Sequence, residues 1–205
     1  MIIFILTLAA ASYLIGSIPT AYIAGYLAKR IDIRKHGSGN VGASNVFRVI
    51  GKKWGTGVLI FDMLKGFIPA FFFPRLFPEN HILLGLCFGI AAIIGHNWTI
   101  FLRFKGGKGV ATSAGVFLAI VPKAVLCAAI IWIAAVAMTN YIAVASMAAG
   151  LSLVIFIALL YRVIPEYNIL LMISFLMACL IVYMHRSNID RLRKGTEHKV
   201  FKRKS

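Results

Sequence analysis

The stretch GTGVLIFDMLKGFIPAFFF, residues Gly55–Phe73, decides the fold class of this chain. Its 19 residues contain only two charged side chains, Asp62 and Lys65. The length approaches the roughly 20 residues that an α-helix needs to cross the hydrocarbon core of a bilayer. Asp62 and Lys65 stand three residues apart, so they share one helix face and can pair inside a helical bundle. We therefore predict a transmembrane helix over residues 54–74 that carries a structural ion pair, in preference to a catalytic one.

This helix changes the interpretation of HGSGNVGASN, residues His36–Asn45, which has the G-x-G-x-x-G spacing of dinucleotide-binding turns. That motif requires a strand before it and an acidic residue about 20 positions later to hold the ribose. Asp62 lies at that distance but falls within the predicted membrane helix, so a Rossmann fold is not predicted. The glycines still permit positive φ angles, which let several backbone N–H groups converge on one anion. We interpret the stretch as a phosphate-binding loop.

The composition of the whole chain is that of an integral membrane protein. Of its 205 residues, 60% are hydrophobic and 14% are charged, and the mean hydropathy is +0.88. We predict an all-α integral membrane protein with one domain over residues 1–205 and a basic cytoplasmic tail over about residues 186–205. Seven transmembrane helices are predicted, near residues 2–28, 54–74, 80–102, 108–122, 124–140, 142–162 and 166–185.

The distribution of positive charge predicts the orientation. The formal net charge is +16, but nearly all Lys and Arg residues lie outside the apolar segments, so we predict no nucleic-acid partner. Seven crossings put 18 of the 22 Lys and Arg residues on one side and only Arg75, Lys123 and Arg162 on the other. Basic loops remain in the cytoplasm. The N-terminus is therefore predicted outside and the C-terminus in the cytoplasm.

Three polar clusters fall on the predicted cytoplasmic face: the loop from Gly37 to Arg48, FKGGKG at residues Phe104–Gly109, and HRSNIDRLRKGTE at residues His185–Glu197. A role in anchoring the protein to anionic membrane lipid would explain only the Lys and Arg residues of these clusters. Backbone N–H donors, a hydroxyl, an amide and a cation close together are instead typical of phosphate binding. We predict one cytoplasmic pocket lined by Ser38, Arg48, Lys108, His185 and Asn188.

Other reaction classes lack the residues that they require. The five histidines show no H-x-x-x-H spacing and the chain has only six acidic residues. No metal site is therefore predicted, and a metal-dependent CDP-alcohol phosphotransferase is disfavoured. The sequence contains no G-x-S-x-G motif, so a serine hydrolase is not predicted. The three cysteines lie in apolar segments without C-x-x-C spacing and are predicted to be small buried hydrophobic residues.

Four motifs, GSGNVGASNVFRVIGKKWG, DMLKGFIP, FKGGKGVAT and HRSNIDRLRKGTE, together resemble those of the bacterial acyl-phosphate:glycerol-3-phosphate acyltransferases. The resemblance covers nearly the whole chain. It implies a seven-span enzyme of the bacterial inner membrane whose active site faces the cytoplasm. Such an enzyme transfers an acyl group from acyl phosphate to position 1 of glycerol 3-phosphate, giving lysophosphatidic acid and phosphate in the first committed step of phospholipid synthesis. No cofactor is implied, whereas a functional link to an acyl-phosphate-producing enzyme is.

The resemblance also implies roles for individual residues. Its first motif places Ser38 and Arg48 in the catalytic site, and its second places Lys108 at the glycerol-phosphate site. In its third motif His185 and Asn188 are catalytic, whereas Glu197 is structural. The implied phosphate-binding set is Gly37, Ser38, Gly39, Asn40, Gly42, Asn45, Gly106, Gly107, Lys108, Gly109 and Ser146.

The chain departs from the family pattern at two positions. Ser44 stands where Thr is common and keeps the hydroxyl. Thr99 stands where Pro is common, which puts the bend at the end of the third helix in question.

Two questions stay open at the level of sequence. His185 either takes the proton of the attacking hydroxyl as a general base or positions substrate while the substrate phosphate takes the proton; we favour positioning. The second question is whether the basic loops serve a channel or carrier for an organic phosphate. A carrier places its site near the membrane midplane on broken helices. The polar clusters collect on one face, which favours the enzyme, although Asp62 and Lys65 keep the carrier in consideration.

Overall fold

The computed structural model describes residues 1–78 and 81–200. The predicted start of the third helix at residue 80 and the end of the predicted basic tail, residues 201–205, lie outside the described residues. The described chain is all-helical, as predicted. Its α-helices are α1 (Ile2–Ser17), α2 (Thr20–Lys29), α3 (Ala43–Val49), α4 (Lys52–Phe72), α5 (His81–Asn97), α6 (Val110–Ile120), α7 (Pro122–Thr139), α8 (Ile142–Leu160), α9 (Tyr167–Met184) and α10 (Arg186–Arg193).

Among the described residues, six helical stretches are long and apolar enough to cross a membrane: Ile2–Lys29, Lys52–Leu76, His81–Leu102, Pro122–Thr139, Ile142–Leu160 and Tyr167–Met184. This pattern is that of a multi-pass membrane protein. The predicted segment 108–122 forms only α6, an apolar helix of 11 residues. At 1.5 Å per residue this helix is roughly 16 Å long, about half the thickness of a bilayer core.

The first predicted segment, residues 2–28, is not one continuous helix. It breaks at Ile18 and Pro19 into α1 and α2. Pro19 lacks a backbone N–H and sterically disfavours the helical conformation for the residue before it. Ile18 accordingly has φ −53° and ψ 117°, which ends α1. The break places the Ile18 carbonyl outside the regular helical hydrogen-bond pattern.

The bend after the third predicted segment forms without proline. Helix α5 ends at Asn97, and a 3₁₀ turn follows over residues Ile100–Leu102. Thr99 caps this turn, because its side-chain oxygen accepts a hydrogen bond from the Phe101 N–H at 3.2 Å. The same hydroxyl donates to the Ser17 carbonyl at 2.6 Å. With φ −68°, Thr99 adopts a proline-like φ and adds two hydrogen bonds that proline cannot make.

The chain divides into two compact units, Met1–Ile120 and Val121–Ser205. In the first unit, α1 packs on α5 and α4 packs on α6. Both contacts depend on glycine: a Cβ on Gly16 would collide with the Ala92 backbone, and one on Gly66 would collide with the Thr112 carbonyl. Small residues of this kind let membrane helices approach closely enough for backbone packing.

The second unit contains α7 to α10. Helix α7 packs against α8, and α8 packs against α9. Gly150 on α8 faces the Ile181 side chain of α9, where a Cβ would have little room. Helix α10 follows α9 at His185 and is short, charged and amphipathic. This unit therefore carries its polar residues on the segment that follows its last long apolar helix.

Candidate active site

The loop between α2 and α3 is organised by the side chain of Asn45, which is 1% exposed. Its Oδ1 accepts a hydrogen bond from the Ser38 N–H at 2.9 Å. Its Nδ2 donates to the carbonyls of Ile33, His36 and Asn40 at 3.0–3.2 Å. We predicted Asn45 as a phosphate ligand, but its amide is bonded to the loop backbone. Its position favours a role in shaping the loop.

The glycines of this loop differ in what they contribute. Gly37 and Gly39 have φ angles of +61° and +73°, in the left-handed region that favours glycine. A Cβ on Gly37 would also collide with Asn45 Oδ1. Gly42 has φ −131°, and a Cβ there would make only an ordinary contact, 3.7 Å from Asn40 Oδ1. The turn thus requires the first two glycines, and Gly42 serves mainly as the N-cap residue of α3.

Ser38, Asn40 and Arg48 are the remaining predicted groups of this segment. Ser38 is partly exposed in the turn, and Arg48 is exposed in the last turn of α3. Asn40 Oδ1 is buried without a hydrogen-bond partner, which leaves an acceptor in the loop available for a donor. The loop and α3 are anchored by a hydrophobic cluster with α2, α4 and the turn after α5: Ala21, Ala24, Ile33, Val41, Val46, Val58 and Leu102.

The segment before α6 runs directly against the end of α5. The Gly106 N–H donates to the Asn97 carbonyl and the Gly107 N–H to the His96 carbonyl, both at 3.0 Å. A Cβ on either glycine would collide with α5. We predicted these two glycines as phosphate ligands, but both N–H groups are already bonded to α5. Their position favours a role in seating the partly buried Lys108 beside α6.

A groove of about 500 Å³ in the first unit is bounded by α2, by the turn before the Gly37–Arg48 loop and by the segment after α5. None of its basic residues is among the predicted site residues. Arg34 in this groove is held by Asp32 through hydrogen bonds of 2.8–3.2 Å. The hydrogen bonds from Arg34 lower the pKa of Asp32 to about 2, so its carboxylate stays charged at physiological pH. The groove is lined by Tyr22, Arg34, Phe101, Leu102, Arg103 and Lys105.

His185 lies at the junction of α9 and α10 and is 3% exposed. Its Nδ1 is 2.7 Å from the Ile181 carbonyl. A carbonyl can only accept a hydrogen bond, so Nδ1 carries the proton in the neutral ring and the lone pair lies on Nε2. Neutral His185 can therefore accept a hydrogen bond or a proton at Nε2, whereas donation from Nε2 requires the imidazolium form.

Glu197 connects the two ends of the third polar cluster. Its Oε1 accepts a hydrogen bond from Asn188 Nδ2 at 3.0 Å. Its Oε2 accepts from Arg191 Nε at 2.8 Å. The Glu197 side chain and Asn188 are each 6% exposed, so the hydrogen bond between them is shielded from water. This arrangement orients the Asn188 amide one helical turn after His185.

Ser146 lies on α8 and is 3% exposed. Its hydroxyl oxygen is 3.4 Å from Trp132 Nε1 on α7, and it accepts that hydrogen bond. The hydroxyl hydrogen remains able to donate to a second group. Ser146 is therefore a buried polar side chain with a fixed position between α7 and α8.

The described residues contain no group of three or more His, Cys, Asp or Glu side chains arranged to hold a metal ion. Cys87 and Cys179 are exposed on their helices and Cys127 is partly exposed, so our expectation of buried cysteines was wrong. These residues lie within apolar stretches that are suited to lipid contact.

Comparison with known proteins identifies the family. The glycerol-3-phosphate acyltransferase family matches residues 6–195. The chain belongs to the glycerol-3-phosphate acyltransferase family. A glycerol-3-phosphate acyltransferase of Desulforamulus reducens is 43% identical over 95% of this chain and 94% of its own length. Those of Geotalea daltonii and Macrococcus caseolyticus are 45% and 46% identical, over 94% and 92% of this chain and 95% and 93% of their own lengths.

Solved structures of this acyltransferase family share the fold. The crystal structure of PlsY (YgiH), an integral membrane glycerol 3-phosphate acyltransferase, in its glycerol 3-phosphate form has a TM-score of 0.85 and 38% sequence identity. That match covers 96% of each chain. The lysophosphatidic acid form of PlsY has a TM-score of 0.84, 38% identity and a coverage of 95% of this chain and 94% of its own. Both structures support the resemblance that the motifs indicated.

Proposed function

We propose that this protein transfers an acyl group from an acyl phosphate to position 1 of glycerol 3-phosphate, giving lysophosphatidic acid and inorganic phosphate. Family membership over residues 6–195 carries this proposal. The solved relatives in glycerol 3-phosphate and lysophosphatidic acid forms support the acceptor and the product. The activity is that of the first committed step of phospholipid synthesis, and the acyl phosphate has to be supplied by a separate enzyme.

The chemistry requires charge stabilisation more than a strong nucleophile. The position 1 hydroxyl of glycerol 3-phosphate attacks the acyl carbonyl, the carbonyl carbon loses its bond to the phosphate oxygen, and phosphate departs. Because phosphate is already a good leaving group, orientation and electrostatic stabilisation provide most of the acceleration. We assign phosphate binding to Ser38, Arg48 and Lys108, whose segments are shaped by Asn45, Gly106 and Gly107. We also assign Ser146 to binding of the substrate phosphate groups.

The hydroxyl proton has two possible acceptors. Neutral His185 carries its lone pair on Nε2, because Nδ1 is bonded to the Ile181 carbonyl. We propose that His185 accepts a hydrogen bond from the substrate hydroxyl and orients it, while a substrate phosphate oxygen takes the proton. Asn188, held by Glu197, supports the same substrate. His185 then contributes alignment rather than full proton transfer.

We also propose seven crossings, with the N-terminus outside and the C-terminus in the cytoplasm of a bacterial inner membrane. Helix α6 is the short fourth crossing, in addition to the six long apolar stretches. The non-helical segment before it has its Gly106 and Gly107 N–H groups satisfied by α5 carbonyls. Non-helical backbone is tolerated at membrane depth where its polar groups are satisfied by protein. Lys108 and the basic loops then face the cytoplasm, where acyl phosphate and glycerol 3-phosphate arrive.

The test is a reaction of purified protein with palmitoyl phosphate and radiolabelled glycerol 3-phosphate, followed by separation of the lipid products. Labelled lysophosphatidic acid with release of one phosphate per acyl group is expected. Palmitoyl-coenzyme A is the matched donor control and is expected to give no product. Product from coenzyme A but not from acyl phosphate would overturn the donor assignment. Uptake of glycerol 3-phosphate into protein-containing vesicles without acylation would instead support the carrier.

A further inference from the structure

A buried polar network lies in the first unit, and the proposed reaction uses none of its side chains. Asp62, Lys65 and His96 are 1%, 6% and 6% exposed, although each lies on a helix of a candidate membrane span. The predicted Asp62–Lys65 pair is confirmed, with Lys65 Nζ 2.8 Å from Asp62 Oδ1. Buried charges are costly in a membrane protein, so they are usually paired and often have a function.

The network joins the break in the first span to α4 and α5. Lys65 Nζ donates at 3.0 Å to the Ile18 carbonyl at the helix break, which also accepts a hydrogen bond from the Thr20 N–H at 2.9 Å. The Thr20 hydroxyl donates to Asp62 Oδ1 at 2.5 Å. His96 Nδ1 lies 3.8 Å from the same carboxylate oxygen. The Asp62 carboxylate therefore faces groups from three helices.

The opposite edge of the His96 ring faces Gly107. A Cβ on Gly107 would collide with His96 Nε2 and would lie 2.8 Å from Cε1 and 3.0 Å from Cδ2. The Gly107 N–H also donates to the His96 carbonyl at 3.0 Å. The imidazole thus lies between the Asp62 carboxylate and the backbone of the residue that precedes Lys108.

We propose that His96, supported by Asp62, is a positioning residue that sets the location of Gly107 and Lys108 for glycerol 3-phosphate binding. The inference rests on the proposed phosphate-binding role of Lys108. The His96 ring limits how closely Gly107 can approach α5. The backbone carbonyl of His96 accepts a hydrogen bond from the Gly107 N–H and so fixes its position. The Asp62 carboxylate, 3.8 Å from Nδ1 on the other side of the ring and itself held by Lys65 and Thr20, limits how far the ring can move away from Gly107. The buried ion pair acts on binding through this contact and touches no substrate.

The test is a double-mutant cycle of His96→Ala and Gly107→Ala in the purified enzyme. Gly107→Ala places a methyl group against the ring, and the resulting displacement of Gly107 and Lys108 should raise the KM for glycerol 3-phosphate about tenfold. His96→Ala removes the obstacle, so the double variant should have a KM within about threefold of that of His96→Ala alone. The KM for acyl phosphate should change less in all three variants.

Gly106→Ala is the matched control. Its Cβ would meet the backbone carbonyls of His96 and Asn97 rather than a side chain, so His96→Ala should not rescue it. Multiplicative effects of His96→Ala and Gly107→Ala, or equal rescue of Gly106→Ala, would overturn the proposal. His96→Ser replaces His96→Ala in the cycle if the alanine variant does not fold in detergent.

Asp62→Asn provides an independent arm, because it removes the charge behind the ring without changing volume beside Gly107. We expect a several-fold higher KM for glycerol 3-phosphate, within the range of coupled contacts, and an unchanged KM would exclude the supporting role of Asp62. Different results contradict the proposed function and the positioning role. A wild-type protein that forms no lysophosphatidic acid contradicts the proposed function. If the enzyme is active but the effects of His96→Ala and Gly107→Ala on KM simply multiply, only the positioning role is contradicted.

Discussion

The side chain of Asn45 holds together the loop that carries Ser38, through one accepted and three donated hydrogen bonds. We expect Asn45→Ala to lower both stability and substrate affinity. The Ile33 and His36 carbonyls keep hydrogen bonds from the His36 and Gly39 N–H groups, but the Ser38 N–H and the Asn40 carbonyl lose their Asn45 partner, and each buried group left unsatisfied costs about 1–3 kcal/mol. The measurements are the thermal midpoint in detergent and the KM for glycerol 3-phosphate. Asn168→Ala, the same change at an exposed residue of α9, should leave both values unaltered; equal effects would remove the special role of Asn45.

Lys108 provides the test of the glycerol-phosphate site. A lysine ammonium acts as a compact positive charge toward phosphate. Losing one charged hydrogen bond costs about 1.5–3 kcal/mol, so Lys108→Ala should weaken glycerol 3-phosphate affinity by roughly tenfold to a hundredfold. Saturation kinetics and equilibrium binding both report this change. Lys53→Ala removes a charge from an exposed residue of α4 and should retain normal saturation. Normal saturation in Lys108→Ala would make Lys108 only a topological anchor.

Substitutions of His185 distinguish alignment of the substrate hydroxyl from transfer of its proton to the imidazole. A glutamine at position 185 can accept a hydrogen bond but cannot act as an effective base, so His185→Gln should keep much of the activity if alignment dominates. His185→Ala should lose more, because it also leaves a gap beside Asn188. The measurement is kcat for both variants at saturating substrates. Near-complete and equal loss in both variants, with glycerol 3-phosphate affinity intact, would establish His185 as the general base.

At the scale of elements, Glu197 connects α10 to the segment that follows it. Glu197→Ala removes both of its hydrogen bonds, to Asn188 and to Arg191, so we expect a large loss of kcat. Glu197→Gln keeps an acceptor for the Asn188 amide and should retain more activity than Glu197→Ala. Asp190→Ala removes an exposed carboxylate from α10 and serves as the control. Equal activity in Glu197→Ala and the wild type would show that Asn188 needs no such support.

The long apolar helices could be predicted from hydropathy, because each must bury a continuous apolar surface in lipid. The interruptions were harder. The Ile18–Pro19 break follows from local sterics, but the side chain that donates to the Ile18 carbonyl at this break is Lys65, 47 residues away. The Thr99 bend similarly uses Ser17, 82 residues away. Such partners belong to no local pattern, so only the packing of α1, α4 and α5 reveals them.

At the scale of the whole molecule, the number of membrane crossings decides on which side of the membrane the C-terminal helices end. Single cysteines placed at Arg162 and Arg193 in a cysteine-free background can be labelled on intact cells with a membrane-impermeant maleimide. If α6 crosses, Arg162→Cys is labelled and Arg193→Cys is protected, whereas the opposite pattern results if α6 does not cross. Lys53→Cys and Arg75→Cys precede α6 and are the internal controls, protected and labelled respectively. We expect the pattern of seven crossings because basic residues remain on the cytoplasmic side.

The sequence by itself determined the membrane class, the helical segments, the polar motifs and the resemblance to the family. These properties depend on composition and spacing along the chain, which are local. Only the tertiary structure showed that the amides of Asn45, Gly106 and Gly107 are bonded within the protein, and that the ring of His96 lies between Asp62 and Gly107. A motif identifies groups that can bind phosphate. Packing decides which of them are already satisfied, because each hydrogen-bonding group is directed by neighbours that are distant in sequence.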